Sequence, residues 1–137
     1  MKDKKIAISE AVKFHGHLGP YLILGVRAGE LALERLKCGK HFGISVKVWG
    51  AHKKPKSCLI DGLQLSTGAT YGKGNIEKFD GSTIKMEFKD NTSKKKVLIR
   101  FKQELVEKLN KTILHRDCET LAKELYSARH AGLFFSP

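Results

Sequence analysis

The run I-S-V-K-V-W-G-A-H-K-K-P-K-S-C-L-I-D-G-L-Q-L-S, residues 44–66, sets the fold class. Ile44, Val46 and Val48 alternate with Ser45, Lys47 and Trp49, the period of a strand with one buried face. Pro55 has no N–H to donate and disfavours helix in the residue before it, so A-H-K-K-P-K is a loop. The pattern then changes, and Leu59, Ile60, Leu63 and Leu65 supply the apolar side chains of a short helix over residues 58–66. A chain of 137 residues with 41% hydrophobic content is long enough for one core without crosslinks. One α+β domain over residues 1–137 is therefore expected.

Upstream, Ser9 is suited to cap a short helix through Glu10, Ala11, Val12 and Phe14, which Gly16 and Gly19 interrupt. Pro20 fits the first turn of a second helix, and Leu22, Val26, Leu31, Leu33 and Leu36 predict that it is long, largely buried and ended by Gly39. Downstream, T-G-A-T-Y-G-K-G-N (67–75) reads as successive turns. Residues 82–88 and 97–101 alternate around a polar connection, predicting a hairpin with Asp90 and Asn91 at its tip. Residues 103–114 place Leu105, Val106, Leu109 and Ile113 on one helical face, and Asp117 can cap a last helix carrying Cys118, Leu121, Ala122 and Leu125. The apolar tail G-L-F-F-S-P (132–137) is expected to dock on this chain or on a partner subunit. The sheet so assembled mixes hairpin and non-hairpin strands.

The 26 basic residues, 21 of them lysine, outnumber 14 acids and leave a formal charge of +12. Such a charge attracts nucleic acid, acidic proteins and small anions alike, but a lysine-dominated balance lacks the planar forks that read bases and phosphates. Nucleic acid is accordingly not the expected partner, and a basic adaptor working through K-K-P-K and S-K-K-K is the second reading. Three widely spaced cysteines, with a charged start in place of a secretory leader, point to a reducing, cytoplasmic setting. No stretch approaches the roughly 18 apolar residues of a membrane span. A homodimer is expected from the apolar tail.

The chemistry concentrates in two segments. In K-F-H-G-H-L-G-P, His15 and His17 would point to nearly opposite sides of a continuous helix, so they can act together only if the helix has ended. Gly16, Gly19 and Pro20 supply that ending; otherwise the two are solvated turn histidines. In K-S-C-L-I-D-G, Cys58 opens a helix whose positive end favours a thiolate. Asp61, three residues on, shares its face and can ligate a metal, orient an imidazole or accept a proton. His15, His17 and Cys58 form a three-ligand set that suits zinc with a fourth position open. The segment 67–75 fails the phosphate-loop spacing by one residue and has Gly74 where a hydroxyl is required. It can still offer backbone N–H groups and Lys73 to an anionic ligand. Cys38 and Cys118 read as packing residues, and His41, His52, His115 and His130 as solvated ones.

With F-H-G-H-L-G-P-Y-L-I-L-G-V-R-A-G followed by S-C-L-I-D-G-L-Q-L-S-T-G-A-T-Y-G-K-G-N, the chain resembles the FmdE family of formylmethanofuran dehydrogenase proteins. The resemblance implies a thioredoxin-like α+β core with a mixed sheet flanked by helices, and a zinc-capable site near the histidine motif. It also implies a place in the one-carbon metabolism and methanogenesis of anaerobes, beside larger dehydrogenase subunits and with a small anionic or pterin-type ligand. His15, His17, Cys58, Asp61 and Gln64 match the family motifs, and so do Thr67, Gly68, Thr70, Gly72, Lys73, Gly74 and Asn75. From these, Cys58, Asp61 and Lys73 are the expected catalytic residues. Thr67, Gly68, Gly72, Lys73 and Gly74 are the expected ligand-binding ones. Two positions where relatives often carry cysteine hold Gly19 and Ala69, which weakens any disulfide mechanism. No cysteine-rich zinc finger follows the core, so only the core function is expected.

Overall fold

A computed structural model describes residues 5–136. The first four residues of the charged start, and Pro137 of the tail, lie outside the described residues. Helices run over Ile8–His15 (α1), Pro20–Leu36 (α2), Cys58–Thr67 (α3), Gln103–Lys111 (α4), His115–Ser127 (α5) and His130–Leu133 (α6). Strands run over Ile44–Trp49 (β1), Ile76–Phe79 (β2), Lys85–Asp90 (β3), Lys96–Phe101 (β4) and Phe134–Phe135 (β5). They form one mixed sheet in the order β2-β1-β3-β4-β5. β1 pairs with β2 in parallel and with β3 antiparallel, and β4 runs antiparallel to both β3 and β5. The chain is thus α+β, and the order and polarity of its first four strands are those of a thioredoxin-like core.

β1 alternates as its sequence predicts. Ile44, Val46 and Val48 are buried beside Met86 and Phe88 of β3 and Ile99 of β4, forming the inner face against the helices. Ser45, Lys47 and Trp49 turn to the other face, where Trp49 stacks on Phe79 with ring centroids 5.2 Å apart and Lys85 Nζ lies 4.4 Å from the indole. β2 escaped the sequence reading because four residues with a single buried one, Ile76, carry no visible alternation. The hairpin β3–β4 forms as expected, but β3 runs two residues further and ends on Asp90, so the turn begins at Asn91; the Asp90 carboxylate accepts the Thr92 N–H (2.9 Å) and the Ser93 hydroxyl (2.9 Å). The tail docks within the chain: Phe134 is buried with its ring 6.0 Å from Phe101, and Phe135 pairs with Arg100.

Four helix ends fall elsewhere than expected. α1 begins before Ser9, with Ala7 as its cap residue and the Glu10 carboxylate accepting the Ala7 N–H (3.4 Å). α2 stops at Leu36 because Lys37 itself adopts the left-handed conformation (φ 52°), two residues before Gly39. α4 ends at Lys111, and Asp117 sits in the first turn of α5 rather than at its cap, where a carboxylate still favours the positive helix end.

α2 is the centre of the molecule: Leu22, Ile23, Leu24, Val26, Ala28 and Ala32 are fully buried. It lies against α3 at backbone distance. A Cβ on Gly25 would run into the Leu59 carbonyl, and one on Gly62 into the Leu22 carbonyl, so each glycine admits the other helix. Ser66 closes the crossing, its hydroxyl within reach of the carbonyls of Gly25 (3.2 Å) and Gly62 (3.1 Å). Arg27 ties α2 to the end of α5 by donating to the carbonyls of Leu125 (2.6 Å) and Tyr126 (2.8 Å). Among the described residues no helix is long and apolar enough to cross a membrane.

Candidate metal centre

His15 is the last residue of α1. Gly16 ends that helix in the left-handed region (φ 107°, ψ −22°), where a side chain would be strained, while its N–H still bonds to Val12 O (2.7 Å). His17 follows in the turn, and extended Gly19 then hands the chain to Pro20 at the start of α2. Breaking the helix between the two histidines brings their rings to the same side, with centroids 4.7 Å apart.

The crossing of α2 and α3 at Gly25 and Gly62 delivers the third residue. Cys58 stands one helical turn before Gly62, and one ligating atom each from His15, His17 and Cys58 lies within 4.8 Å of the others. Nitrogen and sulfur ligands around tetrahedral zinc stand roughly 3.3–3.8 Å apart. Side-chain movement of about an ångström therefore closes the set. The described residues contain no other such group of three.

Asp61 takes one of the places its spacing allows. Its Oδ2 lies 2.6 Å from His15 Nδ1, with the carboxylate side chain 37% exposed and the imidazole 11%. A proton on Nδ1 is held by that carboxylate, which leaves Nε2 as the lone-pair atom. Nε2 is buried with no hydrogen-bond partner among the described residues. A buried nitrogen without a partner is costly, and a metal ion at the point shared with His17 and Cys58 would satisfy it. The donor set therefore fits zinc.

The surroundings of Cys58 do not all favour the thiolate. Burial pushes the thiol up, the Asp61 carboxylate adds to this, and the Lys54 ammonium works the other way. The helix end gives less help than expected because the preceding loop already occupies its N–H groups: Cys58 N bonds to Pro55 O (3.1 Å), Leu59 N to Lys56 O (3.1 Å) and Ile60 N to Ser57 O (3.0 Å).

The glycine-rich segment lies toward the other end of α3. Thr67 is buried and donates to Leu63 O (2.6 Å), Gly68 ends the helix at φ 76°, and Gly72 and Gly74 follow in the turn. Asn75 anchors the turn to the start of β1 by donating to the carbonyls of His41 (2.6 Å) and Ile44 (3.0 Å). Lys73 Nζ donates to Thr70 Oγ1 (3.1 Å) and lies over the Phe42 ring. Tyr71 turns back toward the centre. Its N–H donates to Gln64 Oε1 (3.2 Å), and burial and the Asp61 charge both push its phenol up. Tyr71 was assigned no role from the sequence, and Lys54 figured only within K-K-P-K, because no spacing links either to Cys58. His130 is no solvated residue: burial and Arg27 hold its imidazole below the usual range.

The family model described as "FmdE, Molybdenum formylmethanofuran dehydrogenase operon" matches residues 14–134. The chain belongs to the FmdE family. It also has the fold of a tungsten formylmethanofuran dehydrogenase FmdE-like protein from Syntrophus aciditrophicus, with a TM-score of 0.68 and 21% identity over 95% of this chain and 68% of that one. A probable S-adenosyl-L-methionine-binding protein of Archaeoglobus fulgidus is 37% identical over 71 residues, 51% of this chain. The chain spans 19% of that relative's length. At one position where FmdE-family cysteines were expected, a Cβ on Gly19 would stand 3.3 Å from His17 Cε1, so a side chain there would border the centre. With glycine in place, that flank of His17 stays open.

Proposed function

We propose that this FmdE-family chain holds zinc through His15 Nε2, His17 and Cys58, and serves formylmethanofuran-type one-carbon chemistry in the cytoplasm of an anaerobe, as a homodimer beside larger dehydrogenase subunits. The observation that carries the reading is the orphaned His15 Nε2, aimed by Asp61 from behind and flanked by His17 and Cys58. Bound zinc would supply Lewis acidity to a carbonyl or a water molecule at the open fourth position. The chain's own residues do the rest. Asp61 fixes the His15 tautomer and offers its second oxygen as a proton acceptor, while Tyr71 lines the approach with a phenol that stays protonated at neutral pH.

Metal analysis tests the site. The chain is expected to carry one zinc, and the His15→Ala, Cys58→Ser double variant none; equal content in both would end the proposal. Light scattering should give twice the 15.3 kDa chain mass, and a monomer mass would contradict the dimer. The raised Cys58 thiol adds a pH dependence. A protonated thiol must release its proton to ligate. Below the thiol pKa, apparent zinc affinity should therefore rise by about tenfold per pH unit on this account alone. In the Cys58→Ser variant that share of the slope disappears.

A further inference from the structure

The loop between β1 and α3 carries a feature that zinc coordination does not use. Gly50, His52, Lys53, Lys54, Pro55 and Lys56, with Asp80 and Gly81 opposite, line a cleft of ≈ 340 Å³. Its wall is fixed to the helix that bears Cys58: Ser57 N bonds to Lys53 O (3.0 Å), and Cys58 N to Pro55 O. Its floor is equally constrained, because Gly50 (φ 80°) lies so close to the Thr83 carbonyl that no side chain fits between them. The loop that walls the cleft thus runs directly into the helix turn that carries Cys58.

Its charge is one-sided. Among the described residues, Lys53, Lys54 and Lys56 have no carboxylate within 4.0 Å, and the one acid of the rim, Asp80, is 92% exposed and meets only His52 (3.5 Å). Three unpaired ammonium groups on a rigid turn attract an anion more strongly than the same charges spread over the surface. Lys54 and Lys56 flank Pro55, whose carbonyl accepts the Cys58 N–H (3.1 Å), so the same turn carries both features. Lys73 Nζ, by contrast, donates to Thr70 Oγ1 and lies over the Phe42 ring.

We propose that the cleft formed by His52, Lys53, Lys54 and Lys56 binds the phosphate or carboxylate group of the molecule whose reacting end meets the His15, His17 and Cys58 centre. This rests on the metal reading above for its second half, and the test separates the two. Amide NMR spectra of metal-free and zinc-loaded protein are recorded against inorganic phosphate and against succinate, with sodium chloride matched in ionic strength. Shifts should be confined to residues 50–57 and 80–81. The larger response, to phosphate or to succinate, identifies which anion the site prefers. The Lys53→Gln, Lys54→Gln, Lys56→Gln variant should bind at least about tenfold more weakly, as two or three lost charge-assisted bonds require. Removing the same charge elsewhere, by Lys95→Gln, Lys111→Gln and Lys123→Gln, should change affinity less than about twofold. Shifts scattered over the surface, a chloride response of equal size, or undiminished binding in the first variant would overturn the proposal even if zinc binds. A localised response in protein that retains no zinc would support the anion site and overturn the metal reading instead.

Discussion

Substituting valine for Gly62 is expected to lower the melting temperature by roughly 10–15 °C and to weaken zinc binding with it. A Cβ at this position would strike the Leu22 carbonyl and come within 2.7 Å of Val26 N and 2.9 Å of Gly25 Cα. All three are backbone atoms of α2, which is buried all round from Pro20 to Gly29, so nothing can rotate out of the way. The helices must separate, and Leu59 and Leu63, both fully buried, lose their packing with the Ser66 hydrogen bonds. Overpacking of this kind costs about 3 kcal/mol, toward the top of the usual range, because backbone rather than side chain has to move. Cys58 then swings away from the histidines, since α3 carries it. Gly132→Ala is the control: a Cβ there meets nothing within 4 Å, and calorimetry should show an unchanged transition. A Gly62→Val protein melting within about 2 °C of the parent would show that the close crossing does not position the centre.

Asp61→Asn should leave the fold intact and weaken zinc binding by about 10–100-fold. Two effects oppose each other. Losing the carboxylate removes the partner that fixes the His15 Nδ1 proton 2.6 Å away, and the imidazole becomes free to present the wrong nitrogen. The same substitution removes a charge that raises the Cys58 thiol, so proton competition for the sulfur eases. The first effect wins because Asp61 is over a third exposed, where solvent screens its charge on the thiol, whereas the hydrogen bond to His15 is direct. Competition with a chromogenic chelator measures the affinity. Thiol titration of the metal-free protein should show the Cys58 pKa moving down. An affinity equal to the parent's would remove Asp61 from the site.

Local periodicity carried most of the fold. The change from period two in β1 to helical spacing in α3 was legible, as were the hairpin at Asp90 and the long helix opened by Pro20. Short elements were not: β2 and β5 owe their existence to neighbouring strands rather than to their own four and two residues. The histidine pair and Cys58 were visible as residue types, but their meeting depends on Gly25 and Gly62, which are far apart in sequence. A signal existed in the small residues spaced by four, Gly25 and Gly29 on α2 and Gly62 and Ser66 on α3, the pattern of helices that approach at backbone distance. Motif matching pointed to Lys73 for anion binding but carried no sign of its contacts with Thr70 and Phe42, nor of the pull of the Lys54 charge on the Cys58 thiol. Such outcomes turn on side-chain partners contributed by distant segments, which spacing does not encode.

X-ray absorption at the zinc edge of the reconstituted protein measures the coordination sphere itself. Two nitrogen neighbours at about 2.0–2.1 Å and one sulfur at about 2.3 Å, with the sulfur lost in Cys58→Ser, are the predicted result. A shell of light atoms alone, unchanged by that substitution, would contradict it.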